Sequence, residues 1–270
     1  MKGGGTTKTF SFSNRFHFGD NILNLKFLFN ISEILKKRGI KINYYFKENY
    51  NKNGELDRFV DNGVVTLLPI IQKPADAIEL WMRNPTSNGL HYIRDPLDRY
   101  YRDFYEDIVN KMGLQGENIN TSLYQQEPYL QDIYDGLDVK YKDLDILIIN
   151  AVPKSGQLSF NKDIFKEKFD AMCLRLKDKY KVAVTTCIDD SITCTMKDNL
   201  MLKDIGAIST HAKYIIAVHS GPLMACFNSR TQQNVNKWIL FTDRGTSYEE
   251  INSVVLKSDY NLDNIEEHLT

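Results

Sequence analysis

Twice along this chain a strand-sized run gives way to a loop, then to apolar residues at helical spacing, then to another strand-sized run. No other feature constrains the fold as strongly. Parallel strands joined through a helix need a long crossover, and repeating that crossover builds a doubly wound sheet. The first instance opens at residues 8–14, where Thr9, Ser11 and Ser13 alternate with Phe10 and Phe12. The loop Arg15-Phe16-His17-Phe18-Gly19-Asp20 follows. Ile22, Leu25, Phe29, Ile31, Ile34 and Leu35 then recur with helical period, and Lys36, Lys37, Arg38 and Gly39 supply a stop. Further strands are expected at 41–46 and 63–70.

The alternation restarts at Asp145, with an apolar run over 145–152 that reads as a buried central strand. Helices are expected at 165–176 and 200–212 and strands at 181–187 and 214–218. A helix from Pro222, a strand at 238–242 and a terminal helix from about Asn261 complete the chain. Between the two series, 81–92 reads as loop. Residues 95–112 read as an amphipathic helix with Pro96 in its first turn, whose Tyr100, Tyr101, Phe104 and Tyr105 are expected to serve as core. Residues 113–143 are polar and turn-rich, the expected interdomain region. The fold class is therefore α/β, two Rossmann-like lobes facing a cleft. The division is an N-terminal domain 1–140 and a C-terminal domain 141–270, with the C-terminal segment packing back toward the first lobe. A length of 270 residues suits two domains.

Charge narrows the function. Against 34 Lys and Arg stand 35 Asp and Glu, a formal charge of −1, whereas a protein that neutralises a nucleic-acid backbone carries a positive excess. No nucleic-acid partner is expected. The apolar runs fall short of the ~20 residues a membrane span needs, and the Gly3-Gly4-Gly5 start lacks the apolar region of a signal peptide. Cys173, Cys187, Cys194 and Cys226 form no Cys-x-x-Cys pair. That spacing suggests neither a disulfide framework nor a zinc site and suits a reducing cytosol, so a cytoplasmic location is expected. Asp189-Asp190 reads as a loop rather than a metal site, and no metal or cofactor is expected.

Two places carry chemistry. The strand Tyr-Ile-Ile-Ala-Val runs into His219-Ser220-Gly221, and Pro222 opens the next element. Glycine permits close approach of a ligand, proline suits a first helical turn, and free N–H groups there, including that of Leu223, favour an anion such as a diphosphate. An ordinary strand-to-helix turn has the same sequence. The second place is Arg15-x-His17-x-Gly19-Asp20, also between a strand and a helix, where an open α/β sheet places its ligand. Asp20 is a candidate base, or else a helix N-cap. His17 is the alternative base, with an ordinary pKa of ~6.5.

Residues 14–28 and 204–228 resemble the two signature regions of GT-B glycosyltransferases, closest to the heptosyltransferase-like group. Gly19-Asp20 matches the family's Gly-Asp, whose Asp is the catalytic base. The stretch from Ile205 through His211-Ala212-Lys213-Tyr214-Ile215-Ile216-Ala217-Val218 to Ser220-Gly221-Pro222 matches its second signature. Two positions depart: His219 stands where the family has Asp, and Met224 where it has His. The resemblance implies a compact GT-B fold and a nucleotide-diphosphate sugar as donor substrate. It also implies a glycan or other hydroxyl acceptor, and a basic residue for the donor phosphate in the loop after residue 152. Lys154 is the first choice there and Lys162 the second. Thr186, at the end of its strand, is a candidate nucleotide contact. The expected activity is inverting, metal-independent sugar transfer. A nucleotide-sugar epimerase, or a non-catalytic nucleotide- or glycan-binding protein of the same fold, is the alternative.

Overall fold

The computed structural model describes residues 7–15, 17–80, 96–153, 157–159 and 161–269. It divides into two compact units, residues 1–92 with 100–125, and residues 93–99 with 126–270.

In the first unit, β1 (Lys8–Asn14) is followed by α1 (Phe18–Asn30), α2 (Ser32–Lys37), β2 (Ile40–Phe46), β3 (Val65–Pro69) and β4 (Ile78–Glu79). The single helix expected from 22 to 39 is two, parted at Ile31, and Gly39 ends the second at φ +64°, a conformation that only glycine adopts freely. The sheet runs β3-β2-β1-β4, all parallel, with Phe12 beside Tyr44 on one side and Ile78 on the other. The amphipathic helix is α3 (Leu97–Met112). Its aromatic residues are core, as expected: Tyr101, Phe104 and Tyr105 are buried, and the Tyr105 ring stacks on Phe27 at 4.2 Å. Residues 81–92, expected as loop, lie outside the described residues.

The second unit begins with the first residues of α3. Asp98 is fully buried, and its carboxylate accepts hydrogen bonds from the backbone of Glu249 (2.9 Å) and Glu250 (2.7 Å). The chain returns at α4 (Leu130–Gly136), a helix that the turn-rich reading of 113–143 missed. There follow β5 (Ile146–Ile149), α5 (Lys162–Lys177), β6 (Val182–Val184), β7 (Thr193–Cys194), α6 (Leu202–Ser209), β8 (Tyr214–Val218), α7 (Ser229–Asn234), β9 (Lys237–Phe241) and β10 (Ser253–Leu256). All six strands are parallel, in the order β10-β9-β8-β5-β6-β7. Every residue of β5 is buried, which is why its sequence is an unbroken apolar run. The C-terminal segment is a 3-10 helix, Leu262–His268, and Leu262, Ile265 and Leu269 sit in this unit's own core beside Phe169 and Met172. That corrects the expectation of a return to the first lobe.

A second correction concerns cysteine. Cys187 and Cys194 form a disulfide, with Cα atoms 5.4 Å apart. The pairing ties the segment after β6 to β7, and it removes the argument from cysteine usage for a reducing compartment. Cys173 and Cys226 are buried and form no disulfide. Among the described residues no helix is long and apolar enough to cross a membrane.

Candidate functional site

An open parallel sheet offers its ligand site outside the carboxyl ends of the strands, where the strand order reverses direction. In the first unit the order reverses between β1 and β4. A network of buried polar groups closes that edge. Asn14 Nδ2 and Asn24 Nδ2 both donate to the Leu80 carbonyl, at 2.9 and 3.0 Å. The Tyr44 hydroxyl donates to Asn21 Oδ1 at 3.0 Å, and the Ser13 hydroxyl donates to Glu79 at 3.2 Å. These residues fix the entry to α1. Its N-cap position is His17, not Asp20, and the His17 side chain caps nothing.

Asp20 therefore lies inside the first turn of α1, half-buried, with Oδ1 accepting the Tyr101 hydroxyl at 2.9 Å. Burial pushes the Tyr101 and Tyr105 hydroxyls well above the ordinary tyrosine value, and the Asp20 charge adds to both. Tyr101 is thus a fixed hydrogen-bond donor that aims the Asp20 carboxylate. His17 is exposed.

In the second unit the order reverses between β5 and β8. Here the chain leaves β8 through His219 and Ser220. His219 N donates to the Phe241 carbonyl (3.0 Å), and Leu223 N to the Ser220 carbonyl (3.2 Å), so the Leu223 N–H closes the turn and is not the free donor expected. Both side chains are buried, at 7% and 6% exposure, and neither the Ser220 hydroxyl nor His219 Nε2 has a hydrogen-bond partner. Burial, aided by the Arg244 charge, pushes the His219 imidazole down to about 4, so it is neutral near pH 7. Gly221–Cys226 is a 3-10 helix with Pro222 in its first turn, not the α-helix expected. The reason lies downstream: Phe227 is fully buried, stacked on Trp238 at 5.7 Å, and Asn228 caps a new helix by accepting from Thr231 N. A six-residue 3-10 turn has little macrodipole to offer, so the weight shifts to the side chains.

The neighbouring strand ends complete the edge. Asn150, just past β5, is a latch: Nδ2 donates to the Thr186 carbonyl (2.8 Å) and Oδ1 accepts from Thr186 N (2.7 Å). Thr186 is half-buried and lies two residues past the end of β6, not inside the strand expected over 181–187. Lys154 lies outside the described residues. The Lys162 ammonium donates to the Pro153 carbonyl at 2.9 Å, a brace on the loop. Past β9, the Asp243 carboxylate accepts from the Ser159 amide and hydroxyl and from the Ser258 amide and hydroxyl. Asn150, Asp243 and Arg244 escaped the sequence reading, although each follows the end of a strand, the same signal that singled out His219.

Among the described residues no three His, Cys, Asp or Glu side chains gather as a metal site. Asp189 turns back to Ser191 and Asp190 pairs with Lys197, as a loop would.

No family model and no curated protein matches the sequence. Solved structures do. The chain is similar to E. coli heptosyltransferase WaaC with ADP-2-deoxy-2-fluoro heptose, at a TM-score of 0.57 and 11% identity over 96% of this chain and 98% of that one. The same enzyme with ADP gives 0.51 and 12%, with the same coverage. At such identity the likeness establishes the fold: two Rossmann-like α/β units of the GT-B kind.

Proposed function

We propose that this protein is a glycosyltransferase that moves a sugar from a nucleotide-diphosphate sugar to a hydroxyl acceptor, with inversion and without a metal. The observation that carries the reading is the pair of buried, unpartnered polar atoms, Ser220 Oγ and His219 Nε2, where strand order reverses in the second sheet. Buried polar groups without partners are rare, and a ligand that supplies the partners is the physical reason to keep them. The structural likeness is to an enzyme solved with ADP and with an ADP-sugar analogue, ligands of the proposed class.

In this reading the donor diphosphate lies against His219, Ser220 and Gly221, with Pro222 and Leu223 forming the turn beneath it, Thr186 contributing from the neighbouring edge and Lys154 the basic residue the sequence nominates. Asp20 takes the proton of the acceptor hydroxyl as that oxygen attacks the anomeric carbon, and the bond to the diphosphate oxygen breaks on the opposite face. Side chains and backbone amides stabilise the charge on the departing diphosphate. The test is a thermal-shift screen across nucleotides and nucleotide sugars, since a ligand of the folded state raises the melting temperature. Stabilisation by one nucleoside diphosphate and its sugar conjugates is expected. No stabilisation by any of them would overturn the donor class.

A further inference from the structure

The second sheet brings a cation to the same edge as the two unpartnered atoms. β9 runs beside β8, with Phe241 opposite Val218, and His219 N donates to the Phe241 carbonyl. The chain leaves β9 as Thr242-Asp243-Arg244, so Arg244 is the third residue past the end of the strand that flanks the His219–Ser220 turn. Its backbone is held on both sides: Arg244 N donates to Thr242 Oγ1 at 3.2 Å, and its carbonyl accepts from Thr246 N at 2.7 Å. The adjacent acid, Asp243, is committed to Ser159 and Ser258. The Arg244 charge reaches the His219 ring, where it is one of the two causes that keep the imidazole neutral.

We propose that the Arg244 guanidinium binds the phosphate oxygens of a nucleoside diphosphate at the His219–Ser220 turn, and that the site thereby selects diphosphates over monophosphates. The inference rests on the donor class proposed above and names the residue that supplies its charge. A neutral imidazole and a serine hydroxyl can each satisfy one phosphate oxygen but supply no charge. Arginine supplies it in a planar fork that meets two oxygens at once. With the 3-10 turn offering little dipole, a second phosphate gains its binding from Arg244.

The experiment measures affinities of the full chain for ADP, UDP, GDP and CDP and for the matching monophosphates, in the wild type and in Arg244→Gln, Arg244→Lys and Ser220→Ala. Arg244→Gln is expected to weaken the preferred diphosphate about 10–100-fold, the loss of a charged hydrogen-bonding partner, and the monophosphate much less. Arg244→Lys should recover part of the diphosphate affinity, because charge returns without the fork. If Arg244→Gln or Arg244→Lys weakens mono- and diphosphates equally, Arg244 is a structural residue and the inference is overturned. If Arg244→Gln binds like the wild type while Ser220→Ala does not, the inference falls but the donor reading stands. If no diphosphate binds the wild type, both fall.

Discussion

His219 is an imidazole kept neutral by its surroundings, and that has a measurable signature. Its folded pKa of about 4 lies below the ordinary 6.5, so between those values the unfolded chain binds a proton that the folded chain refuses. Stability from this residue is complete above pH 6.5 and declines as pH falls toward 4, by at most about 3 kcal/mol. Urea denaturation from pH 7.5 to 4.5 should show that slope, and His219→Gln should flatten it. Asp243 acts lower on the scale. Burial pushes its carboxyl up, but the hydrogen bonds from Ser159 and Ser258 outweigh burial and hold it well below the ordinary 3.8. Its contribution is complete above that value and is lost only in stronger acid, so Asp243→Asn should lower stability at pH 7 while leaving the His219 slope in place. Asp20 makes a different prediction. Proton removal by a placed carboxylate contributes ~10²–10⁴-fold, so Asp20→Asn should cut turnover by that order with donor affinity retained. The N-cap position belongs to His17, so Asp20 is not the N-cap of α1. A larger turnover loss in His17→Ala would transfer the base to His17.

At the scale of elements, α6 and the 3-10 turn after Ser220 meet closely at Gly206. A Cβ on Gly206 would stand 2.9 Å from the Ala225 carbonyl oxygen, closer than real Cβ atoms come. Helix propensity alone would make Gly206→Ala stabilising by about 1 kcal/mol. The contact reverses that sign, and Gly206→Ala should lower the melting temperature and weaken whatever binds the Ser220 turn. The resemblance through Ile205 to Pro222 made strand β8 and its turn legible, and strict alternation did the same for β1, whose ends match residue for residue. What stayed illegible has physical causes. Pro222 announces a helical turn but cannot say whether α or 3-10, because Phe227 and its long-range partner Trp238 decide that. α4 was hidden because it is seven residues long and only Leu130 and Tyr134 are fully buried, too short a pattern to show a helical period. The Cys187–Cys194 pair depends on β7 lying beside β6, a contact of tertiary origin that cysteine spacing does not reveal.

For the whole molecule, two all-parallel sheets follow from the repeated strand-helix-strand order, and the site candidates fell at strand ends for the same reason. The residues read least well, Asn150 and Arg244, are those whose roles come from the neighbours of a strand end rather than from the strand itself. One detail of this layout bears on how the chain is made. Everything the first unit needs has been synthesised by residue 125, but the second unit is written in two instalments, its first being 93–99. Asp98 meets the amides of Glu249 and Glu250 only across separations of 151 and 152 residues. At ~5–20 residues per second on the ribosome, the carboxylate waits roughly 8–30 s for its partners. For that interval the head of α3 stays unanchored while the rest of the helix has all of its first-unit neighbours. A ribosome stalled before residue 247 would leave the second unit without its earliest-made part.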